Sequence, residues 1–380
     1  MITVIKEHPT QAVIDLDALA FNFHSTRNFI GSDVKYLAVV KANAYGHDAV
    51  ECARRLESEG VDWFGVAIPE EGIELRHAGI ERPILCLGSF WPGQEDMLVG
   101  NRLTPALYDE RAAVNLNKYG SDNDHLIDVH VKIDTGMGRV GVRYDDTDGF
   151  ADFLKQLKNI RVTGLLTHFA AAENPNETDF TNLQIDRFNR VCDAFRDAGH
   201  TPEIMDLANS PGAIVHPASR SNMVRLGGAL YGLLDDILPV GTEKPDLKPV
   251  LSLRSQIAHI KPVPSGESLG YGRTFVTKHD SQIALVPIGY ADGYPRGLSN
   301  CGKACVNGSL VPVVGRISMD WTLLDVTDLR EVSVDDEVFL IGGESGCSVS
   351  AADIAKAVWT IGYEITCGIS PRVPRIFLGS

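Results

Sequence analysis

From about residue 35 the chain repeats one rhythm, in which short apolar runs bounded by turn residues alternate with stretches whose apolar residues recur at helical spacing. The runs that predict strands are 36–41, 63–67, 84–87, 103–107, 127–133, 162–167, 203–207 and 223–226. Between them 48–59, 70–78, 148–157 and 179–198 predict helices, the last one long and amphipathic. Eight strand–helix units in succession predict a parallel sheet closed into a (β/α)₈ barrel. A doubly wound open sheet remains the alternative, because a count of strands does not show closure. Within 127–134 the apolar Ile127, Val129, Val131 and Ile133 alternate with Asp128, His130, Lys132 and Asp134. That polar face is expected to look into the barrel lumen near its mouth, where active sites of this architecture are built.

After about residue 248 the texture changes to β-branched runs with frequent Gly and Pro. Asn307-Gly308, between the runs 304–306 and 310–314, predicts a hairpin with a type I′ turn. The runs 283–288, 321–326 and 338–341 continue the pattern, and 353–363 is the one helical piece expected there. At 380 residues the chain exceeds a typical domain of about 100–200 residues. The expected class is α/β: an N-terminal TIM-type barrel over 1–248, then a mostly β C-terminal domain over 249–380, with the boundary in the polar, proline-bearing 241–249.

Composition narrows the functions. With 44% hydrophobic and 22% charged residues the chain can bury a large core, which excludes disorder, collagen and coiled coil. Lys and Arg number 35 against 50 Asp and Glu, a net charge of −15 that repels phosphate backbones and anionic lipid. Nucleic acid and membrane are therefore not expected partners. The opening MITVIKEHPT lacks the apolar core of a signal peptide, and no run approaches the ~18 apolar residues of a membrane span, so the expected location is cytoplasmic. The seven cysteines are scattered without a C-x-x-C pair, which predicts free thiols in a reducing compartment and no metal site.

The chemistry collects at the predicted strand ends. Lys41 closes YLAVVK and precedes a glycine-containing turn. Such a lysine is either a solvated cation or, in a barrel mouth where desolvation and nearby cations free its amine, a Schiff-base former. Pyridoxal phosphate is the obvious aldehyde, and its phosphate calls for a cradle near strands seven and eight. After strand seven, Ser210 reads as a helix N-cap with Pro211 as first helical residue; after strand eight, Gly227 and Gly228 permit close backbone approach. Arg225 in the mouth is either a rim ion pair or an always-charged donor to the pyridine nitrogen, which would keep the ring largely unprotonated.

VVKANAYGHD (39–48), KIDTGMGRVG (132–141), THFA (167–170), ANS (208–210), VRLGGALYG (224–232), GYGRTF (270–275), GYADGYPR (289–296), VGRISMDW (314–321) and ISPRVPRIF (369–377) together resemble the alanine racemases. The resemblance implies a pyridoxal 5′-phosphate-dependent isomerase, a homodimer in which the β domain of one subunit completes the barrel site of the other. It implies that Lys41 holds the cofactor as a Schiff base and serves as the base on the D-alanine face. Tyr271 is then the opposite base, serving L-alanine from the partner subunit, with His168 and Arg225 as a hydrogen-bonded chain behind it. Without that motif Tyr271 would read as a buried or rim aromatic. Arg139 corresponds to the residue on the ring oxygen and substrate carboxylate, and Met319 to a position whose backbone N–H binds that carboxylate. Tyr45, Asn209, Ser210, Gly227, Gly228 and Tyr363 correspond to the cofactor and phosphate shell. Tyr290, Tyr294, Arg296, Arg316 and Asp320 fall in segments lining the substrate's way in.

Lys132 shares its inward face with a segment that carries Arg139, and two buried cations side by side are costly. Pairing with Asp134 or water is one resolution; the resemblance supplies another, carbamylation, which makes Lys132 an anion able to orient the arginine. Three departures from the family pattern stand out. Asp48 and Gly228 replace a usual glycine and a branched apolar residue, and Ser318 stands where many members have cysteine. None touches a proton-transfer role. The implied reaction is interconversion of L- and D-alanine, supplying D-alanine for peptidoglycan; a racemase of wider range, serving serine or other small amino acids, or a non-catalytic carrier of the cofactor are the alternatives.

Overall fold

The computed structural model describes residues 8–344 and 346–379, so the reading of the first ten residues as leader-free falls largely outside the described residues. The first strand, β1 (Gln11–Asp15), is followed by β2 (Lys35–Val39), β3 (Trp63–Val66), β4 (Ile84–Cys86), β5 (Leu103–Leu107), β6 (Ile127–Asp134), the two-residue β7 (Val142–Arg143), β8 (Ile160–Leu166), β9 (Ile204–Ala208) and β10 (Met223–Leu226). Every apolar run taken as a barrel strand is one. β2 to β6 and β8 to β10 pair in parallel in chain order, and β10 returns to β2 with Val224 opposite Tyr36 and Leu226 opposite Ala38. That last pairing closes the sheet into an eight-stranded parallel barrel and removes the open-sheet alternative. Helices cover it as the 3.6-residue spacing predicts, from Ala49–Ser58 and Pro69–His77 to Thr147–Lys155 and the twenty-residue Thr178–Asp197.

The polar face of β6 divides along its length. At its start Asp128 stays half-exposed and pairs with Arg161 at 2.6 Å, while His130 and Lys132 are buried. His130 fits because its neighbour on β8 is Gly164, where a Cβ would stand 2.7 Å from the imidazole ring. Burial in this apolar layer, beside the Trp63 ring, pushes the His130 pKa down to about 4.

Beyond the barrel the chain is mostly strand. One sheet runs in the order Ser309–Pro312, Lys303–Val306, Glu337–Glu344, Leu251–Gln256, β1 and Arg375–Leu378, and a second sets His259–Val263, Ser281–Val286 and Thr322–Asp325 side by side. The predicted hairpin forms, with Asn307 and Gly308 both at positive φ (47° and 71°), as a type I′ turn requires. By contacts the chain gathers into two compact units: Leu19–Ala44 with Asp48–Leu247, and the described part of Met1–Ala18 with Tyr45–His47 and Lys248–Ser380. The division drawn along the chain at residue 248 is thus interrupted. β1 had been counted with the barrel, but it pairs antiparallel with Leu251–Gln256 and parallel with Arg375–Leu378, so its hydrogen bonds place it in the β unit.

Three further expectations need correction. The helical piece 353–363 is two helices, Ala351–Val358 and Gly362–Cys367, separated where Trp359 adopts a left-handed φ of 62°. Cys305 and Cys347 are not free thiols but a disulfide, since strand pairing brings Cα atoms 42 residues apart in sequence to 6.0 Å; the other five cysteines form no disulfide. Tyr294 does not line an approach within its own unit: it is fully buried, and among the described residues its hydroxyl has no hydrogen-bond partner.

Candidate active site

Lys41 follows β2 and opens a tight left-handed turn in which Ala42, Asn43, Ala44 and Tyr45 all have φ between 52° and 55°. Left-handed backbone costs an L-residue roughly 1–2 kcal/mol, so four in succession need anchoring. The anchors are visible. Glu71 accepts from the backbone N–H of Ala42 and of Ala67, both at 2.7 Å, and the Asn43 side chain accepts from Ala49 at 2.8 Å. Below the lysine, the Tyr231 hydroxyl donates to the Val39 carbonyl at 2.9 Å. Asp48, where a glycine is usual, keeps a φ of 77° and caps the next helix by accepting from Glu51.

At the ends of β8 and β10, Arg225 is buried and densely bonded. It donates to the carbonyls of Thr167 (2.7 Å), Asp206 (3.1 Å) and Leu207 (3.3 Å) and to His168 Nδ1 (3.2 Å), and it pairs with the Asp206 carboxylate at 2.5 Å. Because arginine is always a donor, His168 accepts at Nδ1, and a neutral ring then carries its proton on Nε2. The ring is neutral: burial first, then the charges of Arg225, Lys132, Arg139 and Lys41, hold its pKa well below the ordinary histidine value. The same field, again after burial, lowers Lys132 to about 7, with only Asp206 opposing. Asp206 itself is raised by burial against the downward pull of Arg225.

The turn after β6 is built by Asp134, which accepts from the N–H groups of Gly136 (2.9 Å) and Gly138 (3.0 Å) and so is not the partner of Lys132. Arg139 lies on this turn, exposed. Behind it a buried hydrogen-bond set ties β6 to β8: Gln184, from the long helix Thr178–Asp197, donates to Thr135 Oγ1 (3.0 Å) and the His168 carbonyl (3.2 Å) and accepts from Ala170 (3.1 Å). Thr167 bonds both Thr135 and the Ile133 carbonyl.

After β9 the helix Ser210–Val215 begins one residue earlier than expected. Its N-cap is Asn209, whose side chain accepts from Gly212 at 3.0 Å, and Pro211 lacks an N–H to satisfy. Ser210 is thereby released from capping, and its Oγ accepts from Gly227 (2.9 Å) and Ala229 (3.4 Å), joining the two loops assigned to the phosphate.

In the β unit, Tyr45 and Tyr363 meet edge to face, ring centroids 5.5 Å apart. Tyr271 stands 70% exposed at a hairpin tip between Gly270 (φ 69°) and Gly272 (φ 72°), while the hairpin legs Leu269 and Phe275 pack into the cluster of Val263, Ile283 and Val314. Met319 is 53% exposed; its carbonyl accepts from Ala291 at 3.0 Å, and among the described residues its own N–H donates to no protein acceptor. Arg372 bonds Asp320 at 2.9 Å and faces Asp292 at 3.4 Å, which ties the two surface turns together.

Asp206, Glu71, Gln184 and Thr135 had not been singled out. Asp206 carried a signal, being an acid inside an otherwise apolar strand; Glu71 and Gln184 read as ordinary polar positions of amphipathic helices. Among the described residues no His/Cys/Asp/Glu group could hold a metal ion, and no helix is long and apolar enough to cross a membrane.

Comparison with known proteins agrees across the whole chain. Residues 14–235 match the alanine racemase N-terminal domain and residues 250–377 the alanine racemase C-terminal domain. The chain is 44% identical to the alanine racemase of Halothermothrix orenii, covering 97% of this chain and 96% of the relative. Among solved structures it resembles alanine racemase from Clostridium difficile (TM-score 0.91, 38% identity, 98% and 96% of the two chains). It also resembles that of Bartonella henselae with covalently bound pyridoxal phosphate (TM-score 0.88, 29% identity, 97% and 99%). The chain belongs to the alanine racemase family, isomerases that act on an amino acid.

Proposed function

We propose that this chain interconverts L- and D-alanine with pyridoxal 5′-phosphate, using Lys41 and Tyr271 as bases on opposite faces of the substrate Cα. It would act as a cytoplasmic homodimer in which each site takes Tyr271 and Met319 from the partner subunit, and its product would feed peptidoglycan synthesis. The observation that carries this reading is the charge of the barrel mouth. Burial first, and then the charges of Arg225, Arg139 and Lys41 with Asp206 opposing, lowers Lys132; burial and the same cations together with Lys132 lower His168.

A phosphate-bearing aldehyde fits this donor set. Lys41 would supply the amine; Tyr45, Asn209, Ser210, Gly227, Gly228 and Tyr363 would hold the phosphate end, Arg225 the ring nitrogen, and Arg139 the ring oxygen. When bound, the cofactor takes up the electron pair that stays on the substrate Cα as its proton leaves. Lys41 Nζ takes or returns that proton on one face and Tyr271 Oη on the other, each step worth about 10²–10⁴-fold. Tyrosine's ordinary pKa is about 10, so Tyr271 needs support as a base. His168 can give it, because Arg225 fixes the Nδ1-accepting form and leaves Nε2–H to donate to a phenolate oxygen. Arg139 and the Met319 N–H would hold the substrate carboxylate. For Lys132, a pKa near 7 leaves a neutral amine available to add CO₂, giving a carbamate anion and a released proton.

The test is exchange of the Cα proton of D- and L-alanine in D₂O for the wild type, Lys41→Ala and Tyr271→Phe. Racemisation is expected to disappear in both variants, with exchange surviving for the one enantiomer whose base remains. Racemisation by Tyr271→Phe at the wild-type rate would remove the two-base assignment.

A further inference from the structure

Asp206 occupies the barrel strand β9 at 0% exposure, against Arg225 of β10 at 4%. Its Oδ1 lies 2.5 Å from Nη1, yet neither carboxylate oxygen receives a directed hydrogen bond among the described residues. Nη1 also donates to the Asp206 carbonyl, and Nη2 donates to the carbonyls of Thr167 and Leu207 and to His168. Four acceptors therefore set the direction of Arg225, and one carboxylate answers its charge. The other arginine of the mouth is in the opposite condition: among the described residues the side chain of Arg139 has neither hydrogen bond nor ion pair, and it is exposed. A charge buried without its counter-ion is costly, and the mouth already holds Lys41 and Lys132.

We propose that Asp206 is a positioning residue for the reaction: it neutralises Arg225 from behind, so that the guanidinium stays against His168 and the cofactor's ring nitrogen without repelling the lysines beside it. The inference rests on the racemase reading above. Its corollary is a division of labour, in which Arg225 has a built-in anion and a carbamate on Lys132 serves Arg139.

Asp206→Asn keeps the shape and removes the charge. In the holoenzyme the added net positive charge is expected to move the pH midpoint of the cofactor's absorbance band acid-ward by about one pH unit. The same variant should lower kcat about tenfold and leave KM for alanine within about twofold, because Arg139 and Met319 are untouched. In an Arg225→Gln background, Asp206→Asn should move neither the midpoint nor kcat. Equal shifts in both backgrounds, or none in the wild-type background, would overturn the proposal. If Asp206→Asn alone does not fold, the double variant, which strands no charge, should recover a wild-type-like thermal melt; a double variant that is equally unfolded overturns it. Wild-type protein that neither takes up pyridoxal phosphate nor racemises alanine would sink the functional reading instead, and the melts of the same four proteins would still decide whether Asp206 and Arg225 are coupled.

Discussion

Arg225 is 4% exposed and bonded to four acceptors, whereas Tyr271 is 70% exposed at the tip of a hairpin between two glycines. The contrast extends to their neighbours. In the barrel unit burial shifts the ionisation of Lys132, His168 and Asp206 first, the charge of Arg225 acts on all three, and Lys132 acts on the other two. In the β unit Met319 and Tyr271 are lifted to the surface by turns that are rigid underneath, through Leu269 and Phe275 in one case and the Ala291–Met319 bond in the other. A reaction that moves protons at a carbon bound to a charged cofactor needs both kinds of construction. In the proposed reaction the barrel would supply a preorganised field, and the β unit would supply groups that act on something other than their own surroundings.

The largest effect that can break this comparison comes from mixing. Lys41→Ala and Tyr271→Phe homodimers should each lose about 10²–10⁴-fold in racemisation, since one base is absent from every site. If Tyr271 acts in the partner subunit, a heterodimer of the two variants contains one site with both bases. Random reassortment should then restore about a quarter of wild-type activity, a consequence of the two-fold symmetry. Assay of the two variants after co-denaturation and refolding measures it. No recovery would mean that both bases come from one subunit and that the exposed tip of the β unit serves its own barrel.

The barrel was legible because its strands are long enough and apolar enough for periodicity to register, and because strand-end residues such as Lys41 and Arg225 fall where that architecture puts its chemistry. Less of the support was legible. Gln184 belongs to a helix whose polar positions nearly all face water, and only the fold reveals that this one reaches Thr135 and the His168 carbonyl. Ser210 was misread because Asn209 and Ser210 are both good caps, and which one caps depends on where the chain leaves β9. The Cys305–Cys347 bond depends on the register of three strands, which spacing along the chain does not encode. The roles of Tyr271 and Met319 came from resemblance alone, since an exposed tyrosine and an exposed methionine carry no chemical signature by themselves.

A second test sharpens the barrel side. Lys132 has a folded pKa near 7, against about 10.4 in an unfolded chain, so between those values the unfolded state binds more protons. Stability should therefore rise as pH climbs from about 7 to about 10, by about 4 kcal/mol from this group, and be at its lowest below 7. Urea denaturation of the apoprotein in CO₂-free buffer, wild type minus Lys132→Met, isolates the slope. Equilibration with bicarbonate should flatten it and add the mass of one CO₂, because a carbamate is an anion throughout that window. A flat difference in CO₂-free buffer would show that the mouth does not hold Lys132 against its charge.

The support behind the mouth should cost somewhat less. Gln184→Ala takes a partner from the buried Thr135 hydroxyl and from the part-buried Ala170 N–H and His168 carbonyl, an expected loss of about 3 kcal/mol. For a unit of this size that lowers Tm by roughly 6–12 °C. Because the His168 carbonyl is one of its partners, kcat should fall with Tm, whereas a polar substitution on the solvent side of the same helix, such as Arg190→Ala, should change neither. A Gln184→Ala protein with wild-type kcat would mean that the hydrogen-bond set holds the scaffold and not the histidine.

The smallest effect probes the surface of the β unit. Trp359 is 96% exposed and separates two helices at a φ of 62°, so it contributes little packing within its own chain while occupying a conformation that disfavours L-residues. Glycine there removes the left-handed penalty of roughly 1–2 kcal/mol and returns part of it as unfolded-state entropy, for an expected net gain of about 1 kcal/mol in urea denaturation. The gain should be independent of protein concentration. A loss that grows on dilution would instead mean that a second copy of the chain covers Trp359, which would extend to this position the outward-facing construction seen at Tyr271 and Met319.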